Sequence, residues 1–331
     1  MSIQLQLIKA AKRAPAHIVL PEGEDPRIVE GAIRAANEGI ARITLLGSHD
    51  EVIAAASGAT IPQGKVTVTD PTTAELGNFA DLLVEARKGR VGPEDAPRLA
   101  REPLNFAALM VRAGLADGTL GGAVHTTADT VRAALQIIGK LPSSSIVSSF
   151  FLMALAEGRN GGPETVVFSD CALIVEPDAD QLADIAIASA ASFEALTGET
   201  ARVAMLSFST MGSARHANVE KVAAATQLVR EKSPDLLVDG ELQFDAAFVA
   251  SVAASKAPVS QVAGRANVFI FPNLDAGNIG YKIAQRIGGA EAIGPSLQGL
   301  ASPANDLSRG CSADDVFNMI AVTVNQVNMR R

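Results

Sequence analysis

The chain has 331 residues, with 28 Lys and Arg against 36 Asp and Glu, for a formal net charge of −8. At ~150 residues per domain the length suggests about two domains, and 48 % apolar with 19 % charged residues excludes intrinsic disorder. The acidic balance and an aromatic share of 4 %, with no Trp, exclude a general nucleic-acid binder, which needs a basic footprint or stacking platforms. Small anions stay open, because nineteen arginines against nine lysines favour the forked cation that grips phosphate and carboxylate.

The first elements set the architecture. His17–Leu20 is a short apolar strand, and Asp25-Pro26 reads as an N-cap with proline at N1. Ile28, Val29, Ala32, Ile33 and Ala36 follow at helical spacing, with Gly39 in the C′ position. Ala41–Leu46 is the next strand, so the segment is a βαβ unit and predicts a parallel sheet covered by helices. Further strands are expected at Lys65–Thr69, Gly122–His125, Thr165–Phe168, Arg202–Leu206, Leu236–Val238 and Asn267–Phe271. Helices are expected over 73–89, 104–113, 126–138, near 181–196, 217–231 and 245–252. The expected fold class is α/β, two α/β/α domains with mainly parallel sheets, with a boundary in the Gly- and Asn-bearing region 145–163.

Cys171 and Cys311 form no CxxC, so neither a disulfide framework nor a cysteine-rich zinc site is expected. The four histidines have no metal-ligand spacing, and no metal is expected. The N-terminus carries no secretory pattern and no apolar run reaches the ~18 residues of a spanning helix, so a cytoplasmic protein without a membrane partner is expected. Gly-x-Gly, the P-loop, Gly-x-Ser-x-Gly and His-Glu-x-x-His are absent.

Three stretches concentrate polar chemistry. In Ala304–Asp315, Ser312-x-x-Asp315 matches a capping box ahead of Val316, Phe317, Ile320 and Val324 at helical spacing. Ser308 and Arg309 thus fall on a loop before a helix N-terminus, a natural place for an anion. On local pattern alone Asp315 is as well explained as a cap, with Arg309 its surface partner. In Gly122–Arg132, Thr126-x-x-Asp129 reads as another cap, with Arg132 about one and a half turns on. Leu206–Ser213 is a hydroxyl-rich loop after a strand, either a ligand loop or a plain turn.

Taken together, Ile18–Arg27, Ala116–Ala123, Ala128–Ile138, Val203–Ser213, Phe271–Lys282 and Asn305–Asp315 resemble, in order and over nearly the whole chain, the phosphate acetyltransferase family in its short form. The resemblance implies reversible transfer of an acetyl group between coenzyme A and phosphate. Acetyl phosphate, phosphate and coenzyme A are then substrates, with no cofactor and no nucleic acid. It implies two α/β domains similar to isocitrate and isopropylmalate dehydrogenases, with the active site in the cleft between them, and a homodimer. The first domain would be discontinuous, residues 1–149 plus 293–331, and the second would span 150–292.

By match, Asp315 would accept the thiol proton of coenzyme A, because only a thiolate attacks well. Ser308 would hydrogen-bond the developing oxyanion, and Arg309 would hold the phosphate bidentately as it leaves. Arg132 matches a substrate-binding arginine, and Arg87 resembles one assigned to coenzyme A. Thr126, Thr127, Ser148, Ser149 and Lys282 are candidate contacts with an equally good structural reading. Cys311 in its glycine-flanked turn is read as packing and not as a nucleophile. The segment Leu173–Glu176 is more apolar than the family's Asn-Pro-rich version. The alternatives are a phosphate butyryltransferase, a decarboxylating dehydrogenase on the related fold, and a non-catalytic relative lacking the Ser-Arg…Asp set, which is present here.

Overall fold

A computed structural model describes residues 2–142 and 144–330. The chain forms two compact units, one from residues 4–142 with 300–330 and the other from residues 144–299 with 2–3. The crossings lie near 143 and 299, not at 149 and 293, because the strands containing Ser148 and Ile293 pair with each other.

In the first unit, β1 (Ala16–Leu20), β2 (Ala41–Leu46), β3 (Val66–Thr69), β4 (Gly118–Gly121) and β11 (Ala304–Asp306) form an all-parallel sheet. Its order is β11-β4-β1-β2-β3, so the returning C-terminal segment supplies an edge strand. Helix Pro26–Asn37 starts where the sequence places it: Asp25 accepts the Arg27 N–H and Pro26 fills N1. Helix Ala313–Asn328 buries Val316, Phe317, Ile320 and Val324. Gly31 lets these two helices meet, since a Cβ there would stand 2.6 Å from Val316 Cγ1.

Two expected elements of this unit are displaced. The strand foreseen at Gly122–His125 lies at Gly118–Gly121. The N–H groups of Ala123, Val124 and His125 are unavailable to a ladder because they donate to the fully buried carboxylate of Glu22, at 2.8, 3.0 and 2.8 Å. The helix foreseen over 73–89 is confined to Phe79–Ala86. Gly77 is left-handed at φ 52°, and Arg101 Nη1 holds the carbonyls of Pro71, Thr72 and Ala74 in the turn before it.

In the second unit, β5 (Ser148–Leu155), β6 (Glu164–Ser169), β7 (Arg202–Leu206), β8 (Leu237–Leu242), β9 (Val268–Ile270) and β10 (Glu291–Gln298) run in the order β10-β5-β6-β9-β7-β8. The pairings from β6 to β8 are parallel, whereas β5 is antiparallel to both neighbours. Residues 145–163 are therefore not a linker: they hold an inner strand and its turn, closed by Gly158 N–H on Gly162 O at 2.7 Å. The helix foreseen over 245–252 is split by the extended Val249 into Phe244–Phe248 and Ala250–Lys256. Helix Leu274–Arg286, obscured in sequence by Gly277 and Gly280, packs so closely that a Cβ on Gly277 would lie 2.2 Å from Asp170 O.

Two loops of this unit use the device seen at Glu22. Buried Asp170 accepts the N–H groups of Ala172, Leu173 and Ile174 at 2.9–3.1 Å. Buried Glu241 accepts Gly212 N–H at 2.7 Å and Ser209 Oγ–H at 2.8 Å.

Gly31→Ala should destabilise the chain by about 1–3 kcal/mol through overpacking, and Val316→Ala in the same chain should recover part of that loss. Thermal unfolding of the single and double variants checks this; strict additivity would refute the contact. A second expectation concerns Glu22, whose other partner is His125 Nδ1 at 2.8 Å. Burial would raise the Glu22 carboxyl, but the His125 ring and the three N–H groups hold it below its ordinary value. The same bond, outweighing burial, raises the His125 imidazole. The Glu22 contribution is lost as pH falls through its lowered pKa, and the His125 contribution is lost as pH rises through its raised pKa. The stability deficit of His125→Ala should thus be largest below the ordinary imidazole value of 6.5 and above the ordinary Glu value of 4.5, shrinking at alkaline pH. Melting temperatures across that range test it, and a pH-independent deficit would contradict it.

Candidate functional site

The loop between β11 and helix Ala313–Asn328 carries Ser308 and Arg309 and is fixed from below by Arg27. All the nitrogens of that guanidinium are engaged. Nε and Nη2 grip Asp25 at 3.0 and 2.7 Å, Nη2 also donates to Ala123 O at 2.9 Å, and Nη1 donates to Arg309 O at 2.7 Å and Cys311 O at 3.0 Å. Arg27 thereby ties this loop to the 122–125 loop, which Glu22 holds on its other side.

Asp315 is exposed and completes the capping box. Its Oδ2 accepts from Ser312 N and Oγ at 2.8 and 2.9 Å, while Ser312 Oγ accepts the Asp315 N–H at 3.2 Å. Among the described residues Oδ1 has no partner, so the cap leaves one oxygen for other chemistry. Ser308 and Arg309 are exposed too. Ser308 Oγ accepts Gly310 N–H at 3.3 Å, which leaves its own proton to donate. The Arg309 guanidinium has no partner among the described residues, so it is not the surface mate of Asp315. Cys311 is buried and its thiol is pushed up to about 11, chiefly by desolvation against the opposing pull of Arg27. It is a protonated packing residue at neutral pH, not a nucleophile.

Below this loop, Asp306 ends β11. It is 1 % exposed; Oδ2 accepts Thr127 Oγ–H at 2.7 Å, and burial raises the carboxyl to about 6. Gly122, at φ 105°, packs against it so closely that a Cβ would lie 2.2 Å from Asp306 Oδ1. Thr127 therefore anchors the start of helix Thr127–Ala133, and Thr126 caps it by accepting Asp129 N–H at 3.2 Å. Thr126 Oγ also donates to Asp129 Oδ2 at 2.7 Å, and Arg132 Nη1 donates to Asp129 Oδ1 at 2.6 Å. Arg87 Nη1 donates to Gln136 Oε1. Arg87 and Arg132 share a cavity of about 360 Å³ with His125, Asp129 and Gln136. The structure brings these two arginines together on one wall system of the first unit.

The remaining candidates belong to the second unit. Ser148 and Ser149 are 1 % and 0 % exposed and serve internal bonds. Ser148 Oγ accepts Gln298 Nε2–H at 2.9 Å. Ser149 Oγ donates to Asp170 Oδ1 and accepts Ala172 N–H at 3.0 Å. Lys282 is exposed and donates to Asn278 Oδ1 at 2.7 Å, while Asn278 Nδ2 donates to Cys171 O at 3.0 Å. Ser149 and Lys282 thus bracket the loop that Asp170 organises. In the Leu206–Ser213 loop, Ser209 and Thr210 are buried and spent on Glu241 and on Gln243, while Phe208 and Met211 are exposed.

Sequence reasoning gave no role to Glu22, Arg27, Asp170 or Asp306. For Glu22 and Asp170 the signal was present: each is a carboxylate just past the carboxyl end of an apolar strand, where parallel sheets place ligand loops.

Residues 2–324 match the family model described as phosphate acetyl/butaryl transferase. A phosphate acetyltransferase of Paracoccus denitrificans is 50 % identical over 322 residues, covering 96 % of this chain and 97 % of that protein. The crystal structure of a phosphotransacetylase from Streptococcus pyogenes superposes with a TM-score of 0.91 at 44 % identity, over 99 % of both chains. At 11 % identity and a TM-score of 0.56, a putative 4-hydroxythreonine-4-phosphate dehydrogenase from Salmonella typhimurium shares the fold over 94 % of this chain and 99 % of that one. No helix among the described residues is long and apolar enough to cross a membrane. Matched by the family model over residues 2–324 and alike to such relatives over nearly its full length, the chain belongs to the phosphate acetyl/butaryl transferase family.

Proposed function

We infer that the chain is a phosphate acetyltransferase, which moves an acetyl group reversibly between acetyl-CoA and phosphate. The observation that carries the reading is the Ser308–Arg309 loop, whose backbone Arg27 braces, with the Asp315 cap: each of the three side chains keeps a donor or acceptor for substrate. A free alkyl thiol titrates near ~8.5 and is a poor nucleophile until deprotonated. Asp315 Oδ1 accepts the coenzyme A thiol proton, and the thiolate attacks the carbonyl carbon of acetyl phosphate. Ser308 Oγ–H donates to the oxyanion of the tetrahedral intermediate. Collapse breaks the carbon–oxygen bond to phosphate, whose charge Arg309 receives bidentately. In the reverse direction phosphate attacks the thioester and Asp315 returns the proton to sulfur.

Arg87 and Arg132 supply cations for the coenzyme A phosphates from their shared cavity. Arg132 approaches that task already paired with Asp129, so phosphate must compete with or displace that carboxylate. Both substrates are held together and no acyl-enzyme forms, a route consistent with the protonated Cys311 thiol. The same proposal takes the enzyme as a cytoplasmic homodimer that needs no cofactor.

Asp315→Asn keeps the cap's shape and removes the base. Turnover should fall about 10²–10⁴-fold with Michaelis constants near wild type, whereas Ser312→Ala should chiefly lower the melting temperature, costing ~0.5–2 kcal/mol. A wild-type rate in Asp315→Asn would reduce Asp315 to a cap. Arg309→Ala should raise the Michaelis constant on the phosphate side most, and Arg309→Lys should not restore it; a defect confined to coenzyme A would reverse the assignment. Acyl preference is read from turnover of acetyl-, propionyl- and butyryl-CoA. One methylene is worth only ~1–3 kcal/mol in a pocket, so acetyl-CoA should lead by a graded margin, and a lead by butyryl-CoA would move the enzyme to the butyryl branch.

A further inference from the structure

The second unit holds a larger cavity, about 970 Å³, at the end of its sheet opposite the Ser149, Asp170 and Lys282 loops. Its walls come from the starts of β6 and β7, the approach to β9 and the beginning of helix Ala250–Lys256. None of the residues used in the proposed reaction lines it.

Three arginines face it, and they differ in charge balance. Arg159 is neutralised: it pairs with Glu164 and lies 4.7 Å from the centroid of the Phe248 ring. Arg202 and Arg265 are held by carbonyls instead. Arg202 Nε donates to Arg265 O at 2.6 Å and Nη1 to Thr200 O at 3.3 Å, and Arg265 Nη2 donates to Gln261 O at 3.0 Å. Carbonyls fix a guanidinium without cancelling its charge; Glu164 feels Arg202 as well as Arg159, but it pairs with Arg159, and among the described residues Arg202 Nη2 and Arg265 Nε and Nη1 have no acceptor. Two oriented forks with remaining donors are a preorganised receptor for phosphate or carboxylate oxygens. The lining also has apolar Phe248, its ring covered by Arg159 and stacked on Phe244, with exposed Val249 and Ala250, and two carboxylates, Glu164 and Glu199. The volume is at the upper end of small-molecule sites, too large for a lone inorganic ion.

We propose that this cavity binds an organic phosphate of nucleotide size, its phosphates on Arg202 and Arg265 and its body against Val249 and Ala250. The site is separate from acetyl transfer and would give the enzyme a second, non-substrate ligand.

The test is a calorimetric titration with ATP, and with inorganic pyrophosphate as the body-less control. It is run in Arg87→Ala/Arg132→Ala/Arg309→Ala protein, with the rest of the chain unchanged, so that phosphate binding at the first unit's substrate arginines is suppressed. Saturable ATP binding is expected there, weakened at least about tenfold, or ~1.4 kcal/mol, by adding Arg202→Gln/Arg265→Gln. Ser251→Glu, at an exposed lining position, should weaken it without disturbing the fold. Introduced into the otherwise wild-type chain, Ser251→Glu should leave acetyl transfer without ATP unchanged. Absence of saturable binding at millimolar ATP, or binding indifferent to these changes, would overturn the site. Pyrophosphate binding as tightly as ATP would overturn the ligand class. Acetyl transfer is assayed independently, so failure here leaves the proposed reaction untouched, and the converse holds.

Discussion

Glu22 has no water to solvate it, and its charge is tolerable only because four donors converge on it: three successive backbone N–H groups and the His125 ring. Burying a carboxylate without such partners costs several kcal/mol. The 122–125 segment must therefore bend around the carboxylate instead of continuing the sheet. That bend fixes where helix Thr127–Ala133 begins, and with it Thr126, Thr127 and Arg132. It also presents the Ala123 carbonyl to Arg27, which in turn holds the Ser308–Cys311 loop. Asp306, the unit's other buried carboxyl, secures the same helix start through Thr127.

The second unit repeats the solution at Asp170 and Glu241, each at or beyond the carboxyl end of a strand. A carboxylate is suited to the task because it accepts several N–H bonds at once and offers the loop no donor to misuse. Charge-assisted bonds of this kind are worth ~1.5–3 kcal/mol each, enough to hold a short loop without a large core beneath it. The arginines divide by the same logic. Arg27 spends all its donors on the protein and acts as a brace, whereas the Arg309 guanidinium spends none on the described residues.

The βαβ start, the Asp25 cap, β7 and helix Ala217–Lys232 were legible because apolar spacing and cap chemistry act locally. The Ser308, Arg309 and Asp315 cluster was legible for the same reason, being contiguous in sequence, and the family motif gave it meaning. What escaped depends on distant partners. The loop at 122–125 looks like a strand until Glu22, a hundred residues earlier, claims its N–H groups. Ser148 and Ser149 stay open between substrate contacts and structural hydroxyls until β5 proves to be an inner strand whose serines answer to Gln298 and Asp170. Helix Leu274–Arg286 was masked by glycines whose purpose is close packing, which propensity counts only as a penalty.

The edge strand β11 and helix Ala313–Asn328 join the first unit from the far end of the chain. On a ribosome, the second unit is complete in sequence once Gly299 has emerged, while the first still lacks a strand, the helix that covers Gly31, and the loop that Arg27 braces. Until then β4 is an open sheet edge, and Arg27 has no carbonyls of Arg309 and Cys311 to hold. The loop proposed to do the chemistry is thus made only after the whole second unit, between the strand that closes the sheet edge and the helix that packs on Gly31.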